Sequence, residues 1–471
     1  MMQQILLSYG VGIARGDYWS LEFKANAYDS STSGTSNGVR VDSSGNVYFP
    51  FYFDDSSGNS SRLAGLLKTD YQGVLKWARG YTSTSTAVTN YGCDVSSSGT
   101  IFHHLRQGNT YVEHQLLATD GTTTSWTRSL GADPADNLYN NIANRIGASG
   151  GHYITGQDID NIVAKPKLAI FKLNATGGIS WARALHGPSD QNYITPGVEF
   201  GIDSSENTYH IVNHYEHPFG TGTGYKKSSD IAKYNSSGSI QWKKEYKIGS
   251  SATDWDLIDL KGITCDSSGN SYAYGRYVQA SLFSGSKGII IKSNSSGTLQ
   301  WFKSIPKDSS GTTGGELIRS GAIDSSGNFY TTTTGRHNSD RTTVVVHKLN
   351  SSGSVVWSYK LYYNASASNI NWGFCSIDSN DNLYVSGYVN VSGVEKLILI
   401  KVPSDGTGQD DYGDVTWAST TTTSVSNVAS GTGYSTGTSP LTSSTLSQVT
   451  ATITIPQTNV SPAINNTSYP S

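Results

Sequence analysis

A short motif recurs along the chain at nearly constant spacing, and a repeat of that kind constrains the architecture before any single element is considered. An apolar stretch, then Asp-Ser-Ser-Gly-Asn or a close variant, then a stretch carrying an aromatic residue appears around Gly45, Gly99, Gly150, Glu206, Gly269, Gly327 and Asp381. Seven copies cover 336 residues in six steps, or 56 residues per repeat. A second marker lies between these: an apolar run, a turn such as Asn-Ser-Ser-Gly, and a strand that reaches Trp. It ends at Trp77, Trp126, Trp181, Trp242, Trp301 and Trp357, with a degenerate seventh copy at Trp417. Its period is about 57 residues, so two independent markers share one repeat.

Each unit holds two hairpins. In their turns Gly supplies the positive φ, while Asp, Asn and Ser bond their own backbone. Four antiparallel strands per unit is the size of a propeller blade with some added loop. The expectation is an all-β protein, a seven-bladed β-propeller of four-stranded antiparallel blades with N- and C-terminal extensions. Residues 38–418 form the ring, residues 1–37 add ring-closing strands at the blade of residues 371–418, and residues 419–471 form an arm.

Composition agrees with strands and turns. Of 471 residues, 51 are Gly and 29 are Tyr, only 15% are charged and the net charge is -3. That balance argues against a broad basic surface for nucleic acid. Cys93, Cys265 and Cys375 lie too far apart in sequence for a CxxC zinc site or a disulfide framework and read as small buried strand residues. The first residues lack the pattern of a signal peptide, and no apolar stretch is long enough for a membrane span.

The units, of which KYNSSGSIQW followed by GITCDSSGNSYAYG is typical, resemble the SBBP-type seven-bladed β-propeller repeat proteins over roughly residues 36–418. The Gly-to-Trp spacing is also similar to the tryptophan-docking repeat of quinoprotein propellers. That resemblance implies a blade-to-blade packing role for Trp77, Trp181, Trp242, Trp301 and Trp357, expected to be buried between blades. The Ser/Thr-rich style with SSGxIQW repeats resembles tail and tail-fibre proteins of cyanophages and related bacteriophages, which implies a virion setting.

Function is expected on the ring face that carries the long, variable connections. Tyr139, Tyr193, Tyr215, Tyr246, Trp255 and Trp372 come from those connections, and aromatic faces beside Asn and Asp suit a sugar or a protein partner. Loop packing is the competing role for each. His210, His214 and His217 form the best metal-like cluster, weighed against ordinary core or surface histidines. Asp42, Asp203, Asp266, Asp324 and Asp378 resemble a ring of carboxylates, but each opens a turn, so backbone capping is expected. No GxSxG, HExxH or phosphate-loop motif occurs, and no cofactor or metal is expected.

From Ser419 onward 53 residues carry no charge, and 26 of them are Ser or Thr. Within them Val449, Ile453 and Ile455 alternate with Thr, a half-buried strand pattern that calls for a partner sheet. The expected partner is another chain, by β-augmentation. The resulting reading is a non-enzymatic structural protein of a bacteriophage tail, assembled in the host cytoplasm. Its partners would be other tail proteins, copies of itself, or a host surface glycan or protein. The alternatives are a bacterial surface adhesin or lectin-like propeller, and a propeller hydrolase or lyase.

Overall fold

The computed structural model describes residues 7–11, 19–25, 38–53, 63–81, 88–97, 99–107, 110–117, 124–131, 136–160, 165–186, 192–216, 226–247, 257–278, 287–305, 317–334, 343–363, 367–391 and 394–402, and short stretches between 405 and 464. Their regular structure is strand throughout. Among the described residues no helix is long and apolar enough to cross a membrane.

The fifth repeat unit illustrates how sequence becomes sheet. Its strands Leu257–Cys265, Ser271–Val278, Lys287–Ser293 and Leu299–Ile305 pair in chain order, each antiparallel to the next. The first turn is set by Asp266, whose Oδ1 accepts from the amides of Ser268 at 3.0 Å and Asn270 at 2.9 Å. The second is set in the same way by Asn294, which accepts from Ser296 at 3.1 Å and Thr298 at 2.8 Å. A side-chain oxygen that satisfies two turn amides fixes the hairpin register locally.

First strands of neighbouring units touch one another, save that the third unit meets Asn192–Pro196 of the fourth through His152–Asp160 and Lys165–Leu173, and the first strand of the seventh unit touches that of the first, so the units form a β-propeller with first strands innermost. Apolar residues on the two faces of each sheet interlock with the next. One core cluster joins Val47, Phe49 and Leu67 of the first unit to Tyr384, Leu397 and Leu399 of the last. Hydrogen bonding divides the strands into six sheets rather than seven separate ones. The reason is local: a single parallel pair, Lys227 with Leu257, joins the fourth and fifth units into one eleven-stranded sheet.

Tryptophans stitch neighbouring units at their outer turns. The Nε1 donors of Trp181, Trp242 and Trp301 reach the carbonyls of Ser236, Ser295 and Ser351 at 3.0, 3.0 and 3.1 Å, each in the second turn of the following unit. Gly238 has φ 79° and lies under the Trp181 ring, where a Cβ would stand 2.8 Å from Cδ2. The turn therefore needs glycine for its backbone and for the close approach. Lys172, Lys233 and Lys292 donate to the same three serine carbonyls at 3.4, 3.2 and 2.8 Å. Trp77 is 8% exposed, whereas Trp181, Trp242, Trp301 and Trp357 are half-buried, because each ring caps the turn edge instead of entering the core.

The C-terminal side of the ring departs from the expected organisation, whereas the N-terminal strands add at the blade where they were expected. Val415–Ser419, which holds Trp417, does not complete the seventh unit; it pairs with Val355–Tyr363 of the sixth. The seventh unit takes its outer strand from Trp19–Ala25, which pairs antiparallel with Val394–Val402, and Leu7–Val11 adds beyond it. Ring closure is sealed by Lys401, which donates to the Tyr71 carbonyl of the first unit at 3.4 Å.

The C-terminal residues then run back around the ring. Ser426–Asn427 pairs with Leu299–Ile305, Ser435–Thr438 with Ile240–Lys247, Thr442–Ser444 with Ile179–His186, Val449–Ala451 with Thr124–Gly131, and Gln457–Asn459 with Leu75–Tyr81. Pro462–Ile464 ends the path beside Leu7–Val11. Thus one short segment adds to the outer edge of each unit, in reverse order. The arm expected to join another chain is seated on its own, with Val449 opposite Gly131; Ile453 and Ile455 lie outside the described residues. The physical reason is proximity, since a tethered segment meets its own open edges at far higher effective concentration than a second molecule does.

Candidate functional site at the axis of the ring

The innermost strands carry a charged cluster that departs from the repeat. Two residues before the turn-opening position stand Arg40, Asp94 and Arg145 in the first three units, against Gly201, Thr264, Ala322 and Ser376 in the rest. Glu199 precedes Gly201 in the fourth unit. Arg40 Nε lies 3.4 Å from Asp94 Oδ1, and its Nη2 is 3.7 Å from Glu199 Oε1, across the axis. Arg145 Nη2 is 3.4 Å from the same Glu199 oxygen. Asp94 Oδ2 also accepts from the Ile146 amide at 2.7 Å.

Tyr274, on the second strand of the fifth unit, completes the cluster by donating to Glu199 Oε2. It reaches the axis through space cleared by glycines. A Cβ at Gly262 would strike the Tyr274 ring and hydroxyl, and one at Gly321 would stand 2.7 Å from its Cε1. Burial and then the Glu199 carboxylate raise the Tyr274 pKa well above its ordinary value, so the phenol acts as a donor. For Arg40, burial opposes charge, but the Asp94 and Glu199 carboxylates outweigh it and leave the pKa raised; Arg145 is lowered by burial and by Arg40. Two cations and two anions balance, and the arrangement locks units one to five about the axis.

The turn carboxylates cap backbone. Asp42, Asp203, Asp324 and Asp378 each accept from the amides two and four residues on, and their Oδ2 accepts from Tyr48, Tyr209, Tyr330 and Tyr384 at 2.9, 3.0, 3.1 and 3.0 Å. His210 is a core residue stacked on Phe200 at 5.2 Å, with Nε2 2.8 Å from Thr208 Oγ1, and burial lowers its pKa to about 3. His214 sits opposite Ile194 and Ser228, and His217 lies outside the described residues. Among the described residues no group of three His, Cys, Asp or Glu could hold a metal ion.

Tyr193 and Tyr215 are register partners in one antiparallel pair, and Tyr139 is the register partner of Gln157, all toward the long-connection end of their sheets. Trp372 sits opposite Gly387, before a bulge. Trp255 lies outside the described residues. Tyr246 is buried, its hydroxyl 2.8 Å from Ser293 Oγ of the next unit, so it packs the ring instead of serving a loop. Cys93 and Cys375 are buried and Cys265 is half-buried.

No protein-family model matches the chain, and no curated protein matches its sequence. Among solved structures, the polysaccharide lyase Uly1 is 12% identical with a TM-score of 0.41, over 85% of this chain and 90% of that one. A protein of unknown function from Bacteroides caccae is 10% identical with a TM-score of 0.35, over 64% and 91%. The parainfluenza virus 5 hemagglutinin-neuraminidase ectodomain is 9% identical with a TM-score of 0.32, over 84% and 85%.

Proposed function

We propose that the protein is a non-enzymatic recognition ring of seven blades, and that its setting is the tail of a bacteriophage virion. The observation that carries this reading is the division of labour in the fold. Turn carboxylates, axial ion pairs and outer edges are all engaged within the chain, which leaves the faces of the ring for partners. On the long-connection side the strand ends bring tyrosines into register, as at Tyr193 and Tyr215. Aromatic residues held on a rigid scaffold suit a sugar or protein surface at low entropic cost.

Antibodies raised against the purified protein test the setting. Immunogold microscopy on lysates of cells that carry the gene supports the reading if particles are labelled at the tail. Label on the cell surface alone would replace it with the adhesin alternative.

A further inference from the structure

Four of the innermost strands share a second feature, a β-bulge five residues before the turn-opening position. The register shifts between Asn90 and Gly92, between Leu260 and Gly262, between Ile318 and Ser320, and between Trp372 and Phe374. The extra residues in these steps are Tyr91, Lys261, Arg319 and Gly373. A bulge leaves one residue outside the ladder and re-aims its side chain. In the adjacent fifth and sixth units that residue is a cation.

Lys261 meets a third cation, Arg276. Lys261 Nζ and Arg276 Nη2 both lie 3.1 Å from one oxygen of Asp259, a carboxylate whose side chain is 4% exposed beneath them. Arg319 comes from the next unit. Gly373 of the seventh unit makes room for its stem, since a Cβ there would stand 3.3 Å from Arg319 Cβ. Arg319 as a residue is exposed, and no carboxylate among the described residues lies within ion-pairing distance of it. Its strand Leu317–Ile323 packs against both Leu257–Cys265 and Ser271–Val278, which carry the other two cations. Burial of the stem pushes the Arg319 pKa down, Tyr388 opposes that, and the Arg276 guanidinium adds to it. Lys261 and Arg276 share one carboxylate and Arg319 of the adjoining strand has none among the described residues, which leaves a local excess of positive charge in a protein whose net charge is -3.

Like charges held together in a folded protein cost free energy that an anionic ligand would offset. A planar guanidinium matches the oxygens of a carboxylate or sulfate. We infer that Lys261, Arg276 and Arg319 form a site for the acidic group of a saccharide, a carboxylate or sulfate, on the two inner strands of the fifth unit and the innermost strand of the sixth. A saccharide is favoured over an acidic peptide because the sheet that joins the fourth and fifth units also sets Tyr193 opposite Tyr215 on the long-connection side, and a pyranose offers both a charged group and an apolar ring face. The inference deepens the recognition reading by naming its ligand class.

Titration calorimetry on the full-length protein tests it with a uronate oligomer, a sulfated saccharide of similar length, a neutral glucan and polyglutamate. The acidic saccharides should bind, with affinity that falls as salt rises, and the neutral glucan should not. The uronate and sulfate arms identify which acid is preferred. Arg319→Gln should weaken binding by about ten-fold or more while leaving the melt unchanged, and Arg319→Lys should retain part of it. Binding unaffected by Arg319→Gln and Lys261→Gln, equal binding of the neutral glucan, or tighter binding of polyglutamate would overturn the site. None of these outcomes bears on where immunogold places the protein, so the two readings fail separately.

Discussion

Trp19 stands opposite Lys401 in the seventh unit, the register that Trp77 shares with Lys68, Trp181 with Lys172, Trp242 with Lys233, Trp301 with Lys292 and Trp357 with Lys348. The first strand of the chain thus occupies the position that a seventh Trp-bearing strand would fill. Removal of residues 1–25 should leave Val394–Val402 as an open edge and the ring unsealed. The melt of the shortened protein should fall by far more than the ~0.5 kcal/mol typical of surface changes, with self-association by light scattering. A monomer with an unchanged melt would contradict closure by this strand.

Trp301→Ala should cost about 2–4 kcal/mol by denaturant titration, below the upper range for a fully buried aromatic because one face of the ring is open. It removes the hydrogen bond to the Ser351 carbonyl and the packing over Gly353. A change under about 0.5 kcal/mol would remove its docking role.

Glu206 and Asp381 replace the glycine of the first turn at φ 59° and 63°, and each compensates by bonding back to the preceding unit. Glu206 accepts from Ser149 N at 2.5 Å, Tyr153 Oη at 2.9 Å and Lys172 Nζ at 3.1 Å, while Asp381 accepts from Ser325 N at 2.8 Å and its hydroxyl at 2.6 Å. Glu206→Gln should cost about 1–3 kcal/mol, since it leaves Lys172 with a weaker partner. Glu206→Gly should cost less, because glycine relieves the left-handed backbone.

Acid should unfold the ring in two stages. Burial lowers the His210 pKa to about 3 and the His347 pKa to about 4, so both are neutral in the folded state. Unfolded histidines bind protons near pH 6.5, so this part of stability is full above that value and is lost as pH falls toward the folded values. Burial opposes ionisation of Glu206, but its bonds to Ser149, Lys172 and Tyr153 lower its pKa from 4.5 to about 2. Its contribution is present above 4.5 and is lost as pH falls through about 2. Melts at stepped pH should show the first decline between 6.5 and 4, reduced in His210→Gln. A flat profile over that range would contradict buried neutral histidines.

The repeat was legible because turn chemistry is local: Asp266 and Asn294 set their hairpins with residues two to four positions away. The Trp contacts follow from the same period. The axial cluster was not legible, since Arg40 meets Glu199 only when the ring closes; the available signal was charge at positions that are small or polar in other units, as in Thr264 and Ala322. The seat of the arm was also hidden, because an uncharged strand pattern at Val449 specifies an open edge without saying whose. Trp417 misled for a related reason: it lies in a strand of the right length, yet pairs one unit earlier.

Amide hydrogen exchange on the full-length monomer, compared with a chain ending at Ala418, tests most directly that this ring is sealed by its own C-terminal strands. The outer strands around Ser129–Gly131 and Lys244–Lys247 should be protected in the whole protein at all concentrations and exchange faster in the shortened one. Equal exchange in the two chains, or protection that appears only as concentration rises, would show that the arm belongs on another molecule.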